Sequence, residues 1–502
     1  MKNNSAPNAN HSHGLTILPG FLVIVIYVWL ISAGLWITWP RTTNYYAQLA
    51  TAFQHGQLFL KITPDSALVA LPNPYDPGAR SGIPVLLDAS LYKGRYYLYF
   101  GPVPALLLLI IKPLFSGAVG DQYLVFMFTS GVFIIQSLLI VTIYERLFQD
   151  IPRWTVSLGI LTIGLIGPAS WILRTPYIYS APIVSGQFFF LSGFYSALIG
   201  LTKPSSSKLA FAVTGTLWAG AIGSRINQAL PVSFMTVMVI VWILQKNNQE
   251  TKKFLKSIPM VISLGIPLAI GFVGLGLYNW ARFDSVFETG VYYQLTGPDL
   301  QKYWHDLFSP SYIFQNLYNY LFIPPEIKAR FPFLNPTRGN MSPMIFSFPK
   351  IYYSQEITGL LCYAPFILFA VIPVINLLRM KKHSENNMAD AKDWYLIQWL
   401  ILGLLGSFLT GVMFYLAFFW AATRYAEDFF PPLALLSVIG FFQGYRYFSR
   451  NPINRNLYTL IGFSLAIISI VASSLLAIAI NSSGFREVNP LLWKQLVSFF
   501  SQ

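Results

Sequence analysis

Apolar residues in this chain come in long runs of about twenty, not at the spacing of a soluble core, and this constrains the fold more than any other feature. A helix of roughly twenty residues crosses a hydrocarbon layer about 30 Å thick. Helices satisfy their own backbone there, so the runs are predicted to be spans. They lie at 15–39, 123–144, 154–173, 183–201, 209–223, 226–245, 258–278, 357–378, 395–419, 429–442 and 457–480. Of the 502 residues 55% are hydrophobic and 10% charged, where a soluble domain carries roughly a quarter charged residues. The expected fold class is an all-α polytopic membrane protein with about eleven transmembrane helices.

The net charge of +14 would point a soluble chain toward nucleic acid. Here most Lys and Arg cluster between apolar runs, where they set topology, so no nucleic-acid partner is expected. The run Pro102 to Leu114 is short, opens with Pro102 and Pro104 and ends at Lys112 and Pro113, which suits an interfacial or re-entrant segment. If it does not cross, the basic loops, from Lys2, Arg146 and Arg153 through Lys252, Lys253 and Lys256 to Arg446, Arg450 and Arg455, share one side. The positive-inside rule makes that side cytoplasmic, with the N-terminus inside. The first run is too long for the h-region of a cleavable signal and reads as a signal anchor. The organisation expected is a cytoplasmic tail at 1–14, a transmembrane domain at 15–480 with outer loops at 40–122 and 281–356, and an outer or interfacial segment at 481–502. The first loop opens on a short amphipathic helix, Thr43 to His55, with Tyr46, Leu49, Ala50 and Phe53 on one face and Gly56 at its C-terminus. The lone Cys362 leaves no intrachain disulfide and no thiolate metal cluster.

None of the runs carries Asp, Glu, Lys or Arg near its middle, where ion-coupled transporters place ionisable groups. Polar chemistry gathers instead in the outer segments, among them Asp65, Asp76, Asp88, Lys93, Arg95, Arg174, Arg225, Arg282, Asp284, Glu288, Lys350, Glu356, Arg424, Glu427 and Asp428. A carboxylate there can deprotonate an acceptor hydroxyl while Arg and Lys stabilise a phosphate leaving group. Arg225, at the end of a span, can hold a lipid-linked phosphate bidentately or snorkel to the headgroups. Arg424 and Asp428, four residues apart, favour a local pair over a substrate clamp. Arg174, Arg282 and Lys350 are end-of-span cations, and Glu288 and Glu356 read as solvated loop charges. His55 and His305 show no metal-ligand spacing. No metal site is identifiable from sequence and the cofactor is unknown, a divalent metal held by carboxylates alone staying open.

Several stretches, taken in order, resemble a known family. They are NYYAQLATAFQHGQLFL, NPYDPGAR, DASLYKGRYYLYFGPVPALLL, YNWARFDSVFETGVYYQL, EITGLLCYAP and ATRYAEDFFPPLALL. They resemble the C-type (GT-C) superfamily of membrane glycosyltransferases, the group of protein O-mannosyltransferases and lipid A aminoarabinose transferases, and bacterial members of glycosyltransferase family 39. The resemblance implies transfer of a sugar, with inversion, from a polyprenyl-phosphate carrier to a glycan, lipid or protein acceptor at the outer, periplasmic face of a bacterial inner membrane. Where that family places an acidic pair after the first span, this chain has Thr43 and Asn44, neither able to act as a carboxylate base. Asp88 is then the first candidate base and Asp76 the second. Asp76 in Asn-Pro-Tyr-Asp-Pro equally fits a turn, and Asp88 a helix cap or a pair with Lys93 or Arg95. Arg225, Arg174, Arg282, Lys93, Arg95 and Arg424 are the candidate donor-phosphate ligands. The chain has no P-loop, Rossmann fingerprint or Gly-x-Ser-x-Gly elbow, which favours a lipid-carried donor.

Two other classes stay open: a lipid or lipid-linked-sugar transporter, and a non-catalytic envelope-assembly relative. The topology is directly testable. Cysteines placed at Lys93 and Lys252 should react with a membrane-impermeant maleimide from opposite sides; labelling of both from one side overturns the assignment.

Overall fold

The computed structural model describes residues 9–111, 119–246, 251–379, 388–480 and 484–500. The expected residues 1–8 of the tail, Lys112 to Leu114, Lys381, Lys382 and 481–483 lie outside them. Helices form in each of the eleven apolar runs. α1 (Ala9–Ile31) stops well before the expected end at Trp39, because the chain turns at Ser32 to Trp36. There the Ser32 hydroxyl accepts the Trp36 N–H at 3.0 Å, and Ala33, Gly34 and Trp36 take positive φ.

The first long loop carries α2 (Tyr45–Gln54), α3 (Ser66–Ala70), a hairpin of β1 (Ser90–Tyr92) and β2 (Arg95–Tyr97), and α4 (Val103–Ile111). The hairpin turns on Lys93 and Gly94, both with positive φ, the geometry that matches strand twist in a two-residue loop. α2 buries Tyr46, Leu49 and Ala50 as expected. Its N-cap residue Asn44 makes no side-chain cap. The cap comes instead from Asp121, whose carboxylate accepts the Thr43 hydroxyl at 2.5 Å and the N–H groups of Tyr45 and Tyr46 at 3.2 and 3.3 Å. The nine described residues of α4 reach about 14 Å.

The bundle continues with α5 (Asp121–Leu147), α6 (Trp154–Leu165), α7 (Pro168–Arg174), α8 (Ser180–Thr202), α9 (Ser207–Ser224), α10 (Ala229–Lys246) and α11 (Thr251–Phe283). The span expected at 154–173 is two helices bent by 43° at Gly167 and Pro168. Gly167 has φ +83° and Pro168 cannot donate into the preceding turn. After the second long loop, which holds α12 (Ile313–Leu321), come α13 (Leu360–Tyr363), a 3-10 stretch Pro365–Ala370, and α14 (Val371–Arg379). The expected span at 357–378 is thus broken, again at a proline. α15 (Met388–Leu416), α16 (Phe430–Phe448) and α17 (Pro452–Ala479) complete the bundle, and α18 (Phe485–Val488) and α19 (Pro490–Phe500) follow. The C-terminal helix docks on the second loop, where Phe500 stacks on Phe331 at 5.0 Å.

Among the described residues six helices are long and apolar enough to span a membrane, and a seventh if the bent pair counts as one. α9 and α16, of 18 and 19 residues, fall outside that set. α8 packs on α5 and α9, and α9 on α11. Small residues let these backbones approach: a Cβ on Gly215 would collide with the Leu264 carbonyl, and one on Gly271 with Ala219. Gly215→Ala should therefore lower stability by about 1–3 kcal/mol. Gly265→Ala, with nothing within 4 Å, should leave it level or raise it. Thermal unfolding of both variants in one detergent provides the comparison.

Candidate active site

A cavity of about 520 Å³ opens at the end of the bundle where the first and second long loops meet. Its walls come from the loop before β1 (Leu87, Asp88), the segment after β2 (Tyr99 to Gly101), the ends of α9, α11 and α15, and the segment Phe419 to Tyr425. Tyr99, Phe100, Tyr179, Trp304, Trp420 and Tyr425 give it an aromatic lining, and such faces suit the apolar face of a sugar ring.

Asp88 sits on this wall with φ +60°, a conformation that Asp and Asn tolerate better than other side chains. The second loop clamps it there. The Asp88 N–H donates to the Leu295 carbonyl and the Leu295 N–H to the Ala89 carbonyl, both at 2.9 Å. Gln294 Nε2 donates to Asp88 Oδ1 at 3.0 Å. Burial raises the Asp88 carboxyl above the ordinary carboxylate range, against the opposing pull of Arg424 and the Gln294 hydrogen bond. Further ties hold the loops together: Ser90 to the Gly290 carbonyl at 2.8 Å, Asn73 to Asp299 at 2.9 Å, and Arg80 to the Thr296 carbonyl.

Arg424 lines the same cavity, between the rings of Tyr179 and Tyr425, 4.2 and 4.8 Å from their centroids. Its Nη1 donates to Gln355 Oε1, and its buried Nε has no partner among the described residues. The expected local pair with Asp428 does not form, because Thr423–Asp428 is a 3-10 segment and Asp428 turns inward to a different arginine. That partner is Arg225, whose Nε lies 2.7 Å from Asp428 Oδ2, with side-chain exposures of 12% and 1%. The Tyr415 hydroxyl donates to Asp428 and accepts from Arg225 Nη2 at 2.9 Å and Asn227 at 2.5 Å. Gln228 completes the shell on Asp428 Oδ1 at 3.1 Å. Arg225 is therefore neutralised inside the bundle. Arg282 also lines the cavity, with its donors on the Leu98 carbonyl at 2.6 Å and Asn279 at 2.8 Å.

Of the residues singled out in the sequence, Asp88, Arg225, Arg282 and Arg424 converge on the cavity. Asp76 stands on an exposed turn, accepting the Gly78 N–H at 2.9 Å. Lys93 pairs with Asp284 at 2.7 Å, not with Asp88. Arg95 covers the Phe59 ring at 4.4 Å, and Arg174 is buried on the Leu30 carbonyl at 2.9 Å, over Phe485. Glu427 turns away into a separate void of about 10 Å³ beside Tyr27 and Thr129. Sequence reasoning missed Gln294, Gln355 and Tyr415, uncharged residues with no spacing signal. It also missed Asp121, for which an acid just ahead of an apolar run was an available cue. Among the described residues no three His, Cys, Asp or Glu side chains gather as a metal-binding group.

Removing one partner of a buried ion pair leaves the other charge uncompensated. Asp428→Asn should cost about 3–5 kcal/mol of stability, and adding Arg225→Met should recover much of it. A double-mutant cycle on thermal unfolding reads the coupling, and additive losses would show that the pair is not coupled.

No family model matches the chain, and no curated protein sequence matches it. Solved structures do. The apo oligosaccharyltransferase of Archaeoglobus fulgidus superposes with a TM-score of 0.50 at 11% identity, over 97% of this chain and 60% of that one. The S. cerevisiae protein O-mannosyltransferase Pmt1-Pmt2 complex bound to the sugar donor superposes with a TM-score of 0.52 at 9% identity, over 95% of this chain and 91% of that one. This chain therefore spans less than two thirds of the archaeal enzyme's length. Both are membrane glycosyltransferases of the C-type fold, and this chain has that fold.

Proposed function

We propose that the protein is a membrane glycosyltransferase that moves a sugar from a polyprenyl-phosphate-linked donor to an acceptor hydroxyl at the outer face of the membrane. The observation that carries this reading is one cavity with a carboxylate, Asp88, and a guanidinium free of any carboxylate partner among the described residues, Arg424, on its walls. The likeness to two glycosyltransferases supports the reaction class.

In this mechanism Asp88 takes the proton of the acceptor hydroxyl. The oxygen attacks the anomeric carbon, and the bond from that carbon to the phosphate oxygen breaks with its electron pair going to the phosphate. Arg424 stabilises the charge that develops on the leaving group. Arg282 adds positive potential, and Arg225, already paired, shapes the wall. A carboxylate lifted above its ordinary range is a stronger base once ionised, and it is held on a wall where Gln294 fixes its orientation. Asp76, on its exposed turn, takes no part in this scheme. A transporter of lipid-linked sugars would bind the same donor, but it has no use for a clamped carboxylate opposite an arginine.

Asn keeps the shape of Asp88 and tolerates its positive φ, so Asp88→Asn is the informative variant, whereas Ala adds backbone strain. With purified protein, a radiolabelled polyprenyl-phosphate sugar and a membrane extract, it should lose transfer by about 10²- to 10⁴-fold while donor binding persists. Undiminished transfer would remove Asp88 from the mechanism. Wild-type transfer should fall as the pH drops through the raised Asp88 pKa. Stability has the opposite sign: because the folded pKa is raised, the ionised carboxylate destabilises the fold above the unfolded value near ~3.9. Asp88→Asn should thus melt no lower than wild type at neutral pH, and the two should converge in acid.

A further inference from the structure

α12 has its polarity reversed. The side turned into the protein carries Gln315, Asn316 and Asn319 with Tyr320, while Phe314 and Phe322 face out, 43% and 50% exposed. The inward amides are bound. Asn316 Nδ2 donates to the carbonyls of Tyr415, Leu416 and Phe418 at 2.8 to 3.0 Å. Gln315 and Asn319 hold the Asn340 carbonyl at 2.9 and 3.0 Å, and the Asn340 N–H returns to Asn319 Oδ1 at 3.0 Å. That clamp presents the segment that follows: residues 341–347 are all exposed, with Met344 at 53%, Ile345 at 61% and Phe346 at 53%. Phe346 packs on Phe314 at 5.9 Å, so the helix and the segment form one apolar face.

In water this arrangement is the wrong way round, since a surface helix there turns its apolar stripe inward. Beside hydrocarbon it is the favourable one. The face continues an existing lipid-facing surface: α12 packs on α15, a membrane-capable helix whose Leu409 and Met413 are exposed, and Phe308, just before α12, packs on Phe414 of α15 at 5.1 Å. Exposed Arg338 and Lys350 flank the segment, placed for anionic headgroups. Apolar residues beside cations are the pattern of an element lying in the boundary between headgroups and acyl chains.

We infer that α12 and residues 341–348 form a membrane-embedded wedge, its Phe314, Ile345 and Phe346 face set among the acyl chains of the leaflet at the cavity end of the bundle. The wedge does not depend on the proposed reaction. It attaches the second loop, which supplies Gln294 and Trp304 to the cavity, to the lipid surface.

The test uses the full chain in nanodiscs of phosphatidylethanolamine and phosphatidylglycerol. Cys362→Ser keeps a donor for the Phe322 carbonyl that Cys362 Sγ contacts at 3.3 Å. In that background Ile345→Cys and Phe314→Cys each receive an NBD label, with Ser81→Cys on an exposed turn as the aqueous control. Lipids carrying a doxyl group on the acyl chain should remove most of the emission at both wedge positions and leave the control bright. Iodide should do the reverse. Iodide quenching at the two wedge positions overturns the inference, as does shielding from both quenchers, which a protein partner or a second copy would give.

Discussion

The ion pair of Arg225 with Asp428 holds together the parts that the cavity is made from. It joins the end of α9 to the 3-10 segment that opens α16, and Tyr415 adds the end of α15 to the same knot. Neither charge can be left alone out of water, so the surroundings supply further partners: Gln228 and the Tyr415 hydroxyl donate to the carboxylate, and the Tyr415 oxygen accepts from the guanidinium. Arg424 belongs to the same six-residue segment as Asp428. Anchoring one end of that segment inside the bundle therefore aims the other end at the cavity. The interior pair thus fixes the segment that carries Arg424.

The opposite wall is held by a different kind of force. Asp88 owes its place to backbone pairing with Leu295 and to one amide from Gln294, 206 positions away in sequence, so the two long loops act as one wall. Neutral hydrogen bonds are individually modest. Several together, with Ser90 on the Gly290 carbonyl and Asn73 on the Asp299 carboxylate beside them, brace the two loops against each other.

Much of this was legible in the sequence. The apolar runs marked every bundle helix, because hydrocarbon demands length and composition, and both can be counted along the chain. Breaks inside the runs were less legible. Gly167 with Pro168, and Pro365, bend or divide segments whose hydropathy gives no warning. At the site, the charges of the segments between apolar runs singled out Asp88, Arg225, Arg282 and Arg424, which do meet, together with Asp76, Lys93, Arg95 and Arg174, which do not line the cavity. Their pairing could not be read: Arg225 and Asp428 are 203 positions apart, whereas spacing rules speak only of neighbours within a turn or two. The local rule assigned Asp428 to Arg424 and failed because the segment is not an α-helix. Gln294 and Gln355 left no trace, since an uncharged amide in a loop has many ordinary uses.

The cap on α2 bears on how the chain is made. Tyr45 and Tyr46 find their acceptor on Asp121, 76 and 75 residues later. At roughly 5–20 residues per second, a ribosome takes several seconds to reach that carboxylate. Until then the first helix of the outer loop lacks the group that closes its N-terminus. Closure of α2 is thereby tied to the arrival of Asp121 at the start of α5, and the wall carrying Asp88 waits longer still, for Gln294 and Leu295.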